Sequence, residues 1–455
     1  MNRKPSLDVN NISFKNRIGY GVGDFASNLI FTGFAFFLVY FYTDIVNIPA
    51  AIVGTVMLVS RLFDGVSDII MGVIVDRTKS RFGKARPWLL WMAIPFGISA
   101  ALVFFVPESD SLTLQVAYIF ITYNLVSLFY TAINIPYGVL NSLITNNPYQ
   151  RSLLNIARAF MANAGVIVVG QLVMPLVAFF GGGKEGWQYA FIVLSIISAV
   201  LFLITFLSSQ ENVTAQNHKQ HDLKPALGAL VHNKYWWLAL LFGTLFFVVI
   251  GLTFNTPVYY GKYILNDPST IGTLILCLIV PQFPTLFLMP KIVKRWGKRL
   301  TCQFGLICLV VSYLLIQIDP YRSDLVFAAT IIKGIGLAPL IGSFFAILAD
   351  TVEYGEWKTG LRTEGLVYSA GSFGSKVGIG LGTAMVGWVL GAGGYVGSDA
   401  VQSDSAITAI LAVSIWYPLV VTLLTFIILC FYQLDKIFPT ILEELDNRKG
   451  GVNGC

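Results

Sequence analysis

Apolar residues gather into long runs separated by short polar stretches, at roughly 20–42, 50–75, 87–106, 113–142, 153–181 and 188–208, then at roughly 236–261, 270–290, 301–318, 325–349, 364–394 and 405–433. Each run is close to the roughly 20 residues that a helix needs to cross the hydrocarbon core of a bilayer. The one long polar interruption, 209–235 (SSQENVTAQNHKQHDLKPALGALVHNK), divides them six and six. The pattern predicts an all-α membrane protein of twelve transmembrane helices. It has an N-terminal six-helix bundle over 1–208, a linker over 209–235, and a C-terminal six-helix bundle with a tail over 236–455.

Basic residues orient the chain. Arg3, Lys4, Lys15 and Arg17 precede the first run, and Arg77, Lys79, Arg81, Lys84 and Arg86 follow the second. Lys291, Lys294, Arg295, Lys298 and Arg299 follow the eighth, whereas the opposite turns hold only Lys184, Lys262 and Arg322. Positive charge is retained on the cytoplasmic side, so both termini and the linker are expected there, in the inner membrane. The polar start and the length of the first run predict an uncleaved first helix.

Composition agrees. The chain is 56% hydrophobic and 12% charged, with a mean hydropathy of +0.72. Soluble domains carry about 25% charged residues, so an ordinary globular fold is excluded. Cys277, Cys302, Cys308, Cys430 and Cys455 form no CxxC pair, and no cofactor is expected. His218 and His221 form an HxxH in the linker and read as solvated.

An internal echo joins the halves. Arg81-Phe82-Gly83-Lys84 follows the second run and Arg295-Trp296-Gly297-Lys298 follows the eighth. This parallel six-helix repeat resembles the major facilitator architecture, with its binding site between the halves at mid-membrane.

Charges inside the runs mark candidate chemistry, because each costs at least roughly 2.5–3.5 kcal/mol at the bilayer centre. They are Arg61, Arg158, Lys333 and Lys376, with Asp24, Asp64 and Asp68, and Asp350 near a cytoplasmic end. In RLFDGVSD, Arg61, Asp64 and Asp68 share one helix face. Two carboxylates one turn apart repel unless a proton or another cation intervenes, so the pair reads as a site for Na⁺ or H⁺. Tyr20, Asp24 and Asn28 share a face in the first run. Tyr130, Asn134 and Gly138 do so in the fourth, beside Thr131, and Tyr368, Ser372 and Lys376 in the eleventh. Aromatic surfaces, amides and a few charges suit a polyhydroxylated ligand.

Several segments together resemble the glycoside–pentoside–hexuronide:cation symporter family. They are YGVGDFASN (20–28), FYTD (41–44), RLFDGVSD (61–68), DRTKSRFGKARPW (76–88), YTAINIPYG (130–138), LITNNPYQRSLLNIAR (143–158) and LADTVEYGEWKTGLRTEG (348–365). The resemblance covers essentially the whole chain. It implies cation-coupled sugar import by alternating access, with Asp64 and Asp68 as cation ligands and Thr131 nearby. Arg158, Tyr130 and Lys376 would contact sugar, together with Asp24, Asn28 and Asn134. Arg61, Asp350, Glu353, Glu356, Arg362 and Glu364 would gate, the last five from a turn pairing with basic turns of the other half. Asn28 and Asn134 replace carboxylates of the melibiose-type members, and Gly138 replaces an aromatic residue, so a galactoside grip is not expected. The amide pattern is closer to glucuronide- and pentoside-type members. With two acids gone, Arg158 and Lys376 would be less compensated and would tolerate an anionic sugar. The expected partners are a small sugar, a monovalent cation and the lipid bilayer, without nucleic acid, and the chain is expected to act as a monomer. The rival class is a sugar-binding membrane sensor without concentrative transport. A membrane enzyme would need a larger extramembrane loop than any present.

Overall fold

A backbone crossing lipid must satisfy its own N–H and C=O groups, which leaves helices for a chain of this pattern. The computed structural model describes residues 12–145, 147–212, 228–361, 363–399 and 401–452, and no strand occurs among them. The HxxH pair, Arg362 and Cys455 lie outside these residues.

The chain divides into two compact units, residues 1–218 with 394–402 and residues 219–393 with 403–455. The segment 394–402 groups with the first unit although its neighbours in sequence belong to the second.

The first unit holds α1 (Phe14–Gly33), α2 (Ala50–Arg77), α3 (Arg86–Leu102), α4 (Leu112–Ile144), α5 (Pro148–Phe179) and α6 (Gly183–Ser208). Helix α1 starts where the Ser13 side chain accepts a hydrogen bond from the Asn16 backbone N–H, and runs on through wide π turns at Phe34–Leu38 and Phe41–Ile45. It packs on α5 and α6, α3 packs on α4 and α6, and α2 packs on α4.

The second unit holds α7 (Lys234–Asn255), α8 (Thr270–Ile279), α9 (Gln282–Ile318), α10 (Ser323–Thr359), α11 (Glu364–Ala392), α12 (Asp404–Leu411), α13 (Tyr417–Phe431) and α14 (Leu434–Val452). A π turn, Ala412–Trp416, joins α12 to α13. Here α7 packs on α11 and α13, α9 on α10 and α13, and α8 on α10. The pairing repeats that of the first unit, helix for helix.

Nine helices among the described residues are long and apolar enough to cross a membrane. The count differs from twelve partly for physical reasons. Helix α3 has only 17 residues. The longest candidate, Thr270–Ile318, runs through a backbone break at Gly297 and so joins two expected spans. Helix α2, bearing Arg61, Asp64 and Asp68, stands outside the count too.

The packing is inverted relative to a soluble protein. On α2, Phe63, Val66, Ile70 and Val73 are exposed, whereas Ser60 and Asp64 are buried. Apolar side chains outward and polar ones inward is the arrangement that lipid imposes.

Both basic turns are closed by a carboxylate from the end of their own unit. Glu211, just past α6, accepts hydrogen bonds from the backbone N–H groups of Lys84, Ala85 and Arg86 at 2.7–2.9 Å. Asp435, just past α13, accepts one from the Arg299 N–H at 2.8 Å. Gly83 (φ +108°) and Gly297 (φ +79°) hold equivalent places, each beside the capping carboxylate in a conformation that side chains resist.

Helices α7 and α11 meet backbone to backbone. A Cβ on Gly251 would collide with the Ile379 carbonyl, one on Gly378 with the Thr244 carbonyl, and one on Gly382 with the Val248 carbonyl. Asn255 Nδ2 donates to Thr383 Oγ1 across the same seam at 3.1 Å. Small residues permit such approach.

Candidate functional site

Helices α2 and α4 bring three oxygens together. Thr131 Oγ1 lies 3.2 Å from Asp64 Oδ1 and 3.0 Å from Asp68 Oδ1. Ser67 Oγ approaches Thr131 Oγ1 at 3.4 Å and donates to the Asp64 carbonyl at 2.9 Å. Arg61 takes the other oxygen of Asp64, with Nη1–Oδ2 at 3.5 Å, and lies over the Tyr123 ring. A hydroxyl has one proton to give, so Thr131 can satisfy only one of its two carboxylate neighbours at a time. Two carboxylates that share one hydroxyl are close enough to repel one another. No group of three or more His, Cys, Asp or Glu side chains able to hold a metal ion occurs among the described residues. A cation here would therefore rest on two carboxylates with hydroxyl help.

Helices α1 and α5 build a second cluster. Arg158 clamps Asp24 with the Nε–Nη2 edge of its guanidinium, Nε–Oδ2 at 2.5 Å and Nη2–Oδ1 at 3.3 Å. Its other face lies 4.4 Å from the Tyr137 ring centroid and 5.8 Å from that of Tyr20. Those tyrosines bond reciprocally: Tyr20 OH donates to the Tyr137 carbonyl at 3.0 Å, and Tyr137 OH to the Tyr20 carbonyl at 2.6 Å. Asn28 Nδ2 donates to the Asp24 carbonyl one turn back, and Asn28 Oδ1 accepts from Thr32 at 3.1 Å. Asn134 is half-buried, and a Cβ at Gly138 would meet open space. The Tyr130 ring packs 4.0 Å from Phe31 and 6.0 Å from Phe96.

The first unit thus gathers Asp64, Asp68 and Thr131 into one cluster, and Asp24 and Arg158 into another with Asn28 alongside. Lys376 belongs to the second unit, on α11 between Gly374 and Gly378. Of the gating set, Asp350 is buried and bound to Lys298 Nζ at 2.5 and 2.7 Å. Lys298 comes from the basic turn of the same unit, whereas the sequence reading looked to the other half. Glu353 and Glu356 follow on α10, and Glu364 opens α11.

Sequence reasoning passed over Tyr137, Glu211 and Tyr395. The Tyr395 hydroxyl donates to buried Asp44 Oδ2 at 2.7 Å. A signal existed for Glu211, since an acid follows the last apolar run of each half.

The MFS/sugar transport protein family profile matches residues 19–436. The chain belongs to that family. The transporter is 36% identical to the isoprimeverose transporter of Lactiplantibacillus pentosus over 98% of its own length and 94% of the relative's. It is 34% identical to the glucuronide carrier protein homolog of Escherichia coli K12, and 33% identical to the inner membrane symporter YicJ of that organism. Each of these two alignments covers 96% of both chains. In structure it resembles the nucleoside transporter NupG, with a TM-score of 0.65 over 91% of this chain and 99% of that one. At 15% identity, that likeness shows the fold alone. The transporter is accordingly a multi-pass membrane protein of the major facilitator fold.

Proposed function

We propose that the transporter imports a neutral glycoside together with Na⁺, by alternating access. Symport with a cation is supported by the relatives, among them proteins named as symporters. The choice of Na⁺ over H⁺ rests on the oxygen cluster. A proton needs a single carboxylate, whereas Asp64 Oδ1 and Asp68 Oδ1 both lie within hydrogen-bonding distance of Thr131 Oγ1, and a hard cation favours several oxygens together.

The observation that carries the sugar reading is the Arg158–Asp24 pair. It gives the guanidinium its counter-charge within the first unit, so an anionic sugar gains little there. Asn28 and Asn134 add neutral donors and acceptors, and the tyrosine rings add apolar faces for a pyranose. A substrate of the isoprimeverose kind fits this better than a glucuronide, although relatives carry both names. We assign the inner membrane, cytoplasmic termini, a monomeric working unit, and Lys376 as a polar group of the same path.

With a neutral sugar and one cation, a potential of 100 mV supplies about 2.3 kcal/mol, enough to concentrate the sugar roughly 50-fold. Counterflow in proteoliposomes tests the reading, with isoprimeverose and a glucuronide, each with Na⁺ or with N-methylglucamine at two pH values. Sodium-dependent exchange of the neutral disaccharide is expected. Sodium-independent exchange driven by pH would reassign the ion, and preference for the glucuronide would reassign the sugar.

A further inference from the structure

One buried charge takes no part in this mechanism. Lys333, on α10, is 8% exposed and forms no ion pair with a carboxylate among the described residues. Its ammonium lies 4.7 Å from the centroid of the Tyr313 ring. It lines a cavity of about 40 Å³ inside the second unit, between α7, α8, α9, α10 and the π turn Ala412–Trp416. Thr253 and Ser414 line the same cavity, both buried, and neither hydroxyl meets a partner in full hydrogen-bond geometry, that of Thr253 lying toward the Tyr313 hydroxyl. The other two threonines there spend their hydroxyls on backbone, Thr256 on the Thr253 carbonyl and Thr330 on the Val326 carbonyl.

The lining therefore presents an ammonium and two uncommitted O–H groups, and no carboxylate. A buried cation must lose its proton or gain a negative partner, because isolated charge is costly in a dry interior. A water occupies about 10–15 Å³ by this measure, so the cavity has room for two or three water-sized species. A sugar needs several hundred cubic ångströms and is excluded. Water could meet the hydroxyls but would leave the charge of Lys333 unbalanced.

We propose that this cavity is a binding site for a halide-sized anion, chloride in the cell, with Lys333 as counter-charge and Thr253 and Ser414 as hydroxyl donors. Bound anion ties α7 to α10 and the turn before α13, and stabilises the second unit. The site is built from second-unit residues alone, none of them in the Asp64–Asp68 cluster, and does not depend on which sugar or cation is carried.

Thermal unfolding of the purified full-length transporter is the test, read by tryptophan fluorescence. N-methylglucamine chloride, bromide and gluconate are titrated at constant ionic strength. Chloride and bromide should raise the melting temperature saturably and gluconate should not, as expected for a ligand that binds only the folded state. Lys333→Met should abolish the halide response. Ser414→Ala should keep it, with a midpoint shifted about tenfold to higher concentration, the order expected when one donor to a charge is lost. No saturable response in the native chain, meaning that water alone fills the cavity, overturns the proposal. So does an unchanged midpoint in Lys333→Met. Should that variant fail to fold, Ser414→Ala and Thr253→Val decide, and unchanged midpoints in both overturn it. A bromide anomalous peak in a crystal must fall between Lys333, Thr253 and Ser414; a peak only elsewhere counts against the site.

Discussion

Arg158 grips Asp24 by two contacts, one to each carboxylate oxygen, although the residues stand 134 positions apart in sequence. Both side chains are mostly shielded, at 24% and 15% exposure. Removing one partner from a shielded pair costs about 3–5 kcal/mol, because the survivor keeps its charge without compensation. Asp24→Asn and Arg158→Ala should each lower sugar uptake per folded molecule at least about tenfold, the scale of one lost charge-assisted contact. Arg158→Lys keeps the charge but loses the fork, and should fall between them and the native chain. Uptake within about twofold of native in Asp24→Asn would remove the pair from the sugar path.

Thr131 offers a finer test of the cation cluster than either aspartate. Asp64→Asn or Asp68→Asn should abolish concentrative uptake outright, while sugar exchange without net cation movement survives. Thr131→Ala removes one neutral oxygen and should raise the Na⁺ concentration for half-maximal uptake by about tenfold, the scale of one hydrogen-bond-strength contact to a charge. Thr131→Ser keeps the oxygen and should restore the native value. Sodium activation curves measure all four. Equal curves for the alanine and serine variants would place Thr131 outside the cation's coordination.

The amides make an electrostatic prediction. Asn28→Asp with Asn134→Asp adds two negative charges to the unit that holds Asp64 and Asp68. Binding of a glucuronide should weaken far more than that of a neutral glycoside, because only the first is repelled. Competition binding with both ligands reads the difference. Equal loss would indicate a folding defect, and no loss would put the sugar elsewhere.

The caps of the basic turns should matter to stability more than to selectivity. Glu211→Ala strands the backbone N–H groups of Lys84, Ala85 and Arg86, and should destabilise the first unit by about 2 kcal/mol, given that loss of a helix cap costs about 0.5–2. Asp435→Ala strands one such group and should cost less. Glu211→Gln retains an acceptor and should recover part of the loss. Melting temperatures order the three. A more damaging Asp435→Ala would contradict the hydrogen-bond difference between the turns.

Much of this was legible in the chain. The alternation of apolar runs and basic turns located the helices, since lipid permits little else, and the four-residue spacing of Asp64 and Asp68 announced a shared face. What escaped depended on long-range meeting. Nothing in the first run says that Asp24 will find Arg158, and nothing near Asp350 says that Lys298 of its own unit will claim it. Gly297 marked a turn correctly: its backbone leaves the helical region and separates the two helical stretches of α9. The cap by Glu211 was legible only as an acid placed just after the last apolar run of its half, a place Asp435 repeats; which N–H groups it would meet was not.

The glycine seam of α7 and α11 bears on how Lys376 can move. At an ordinary helix contact, side chains turn between rotamers and let one rod slide past its neighbour. Where Gly251, Gly378 and Gly382 press main chain on main chain, there is no such bearing surface. A helix pair seated this closely has few side chains to repack between the rods, so a displacement of the stretch bearing Lys376 is expected to be felt by α7. A methyl group added at Gly378 or Gly382 would meet the α7 main chain and push the two helices apart, shifting the stretch of α11 that bears Lys376.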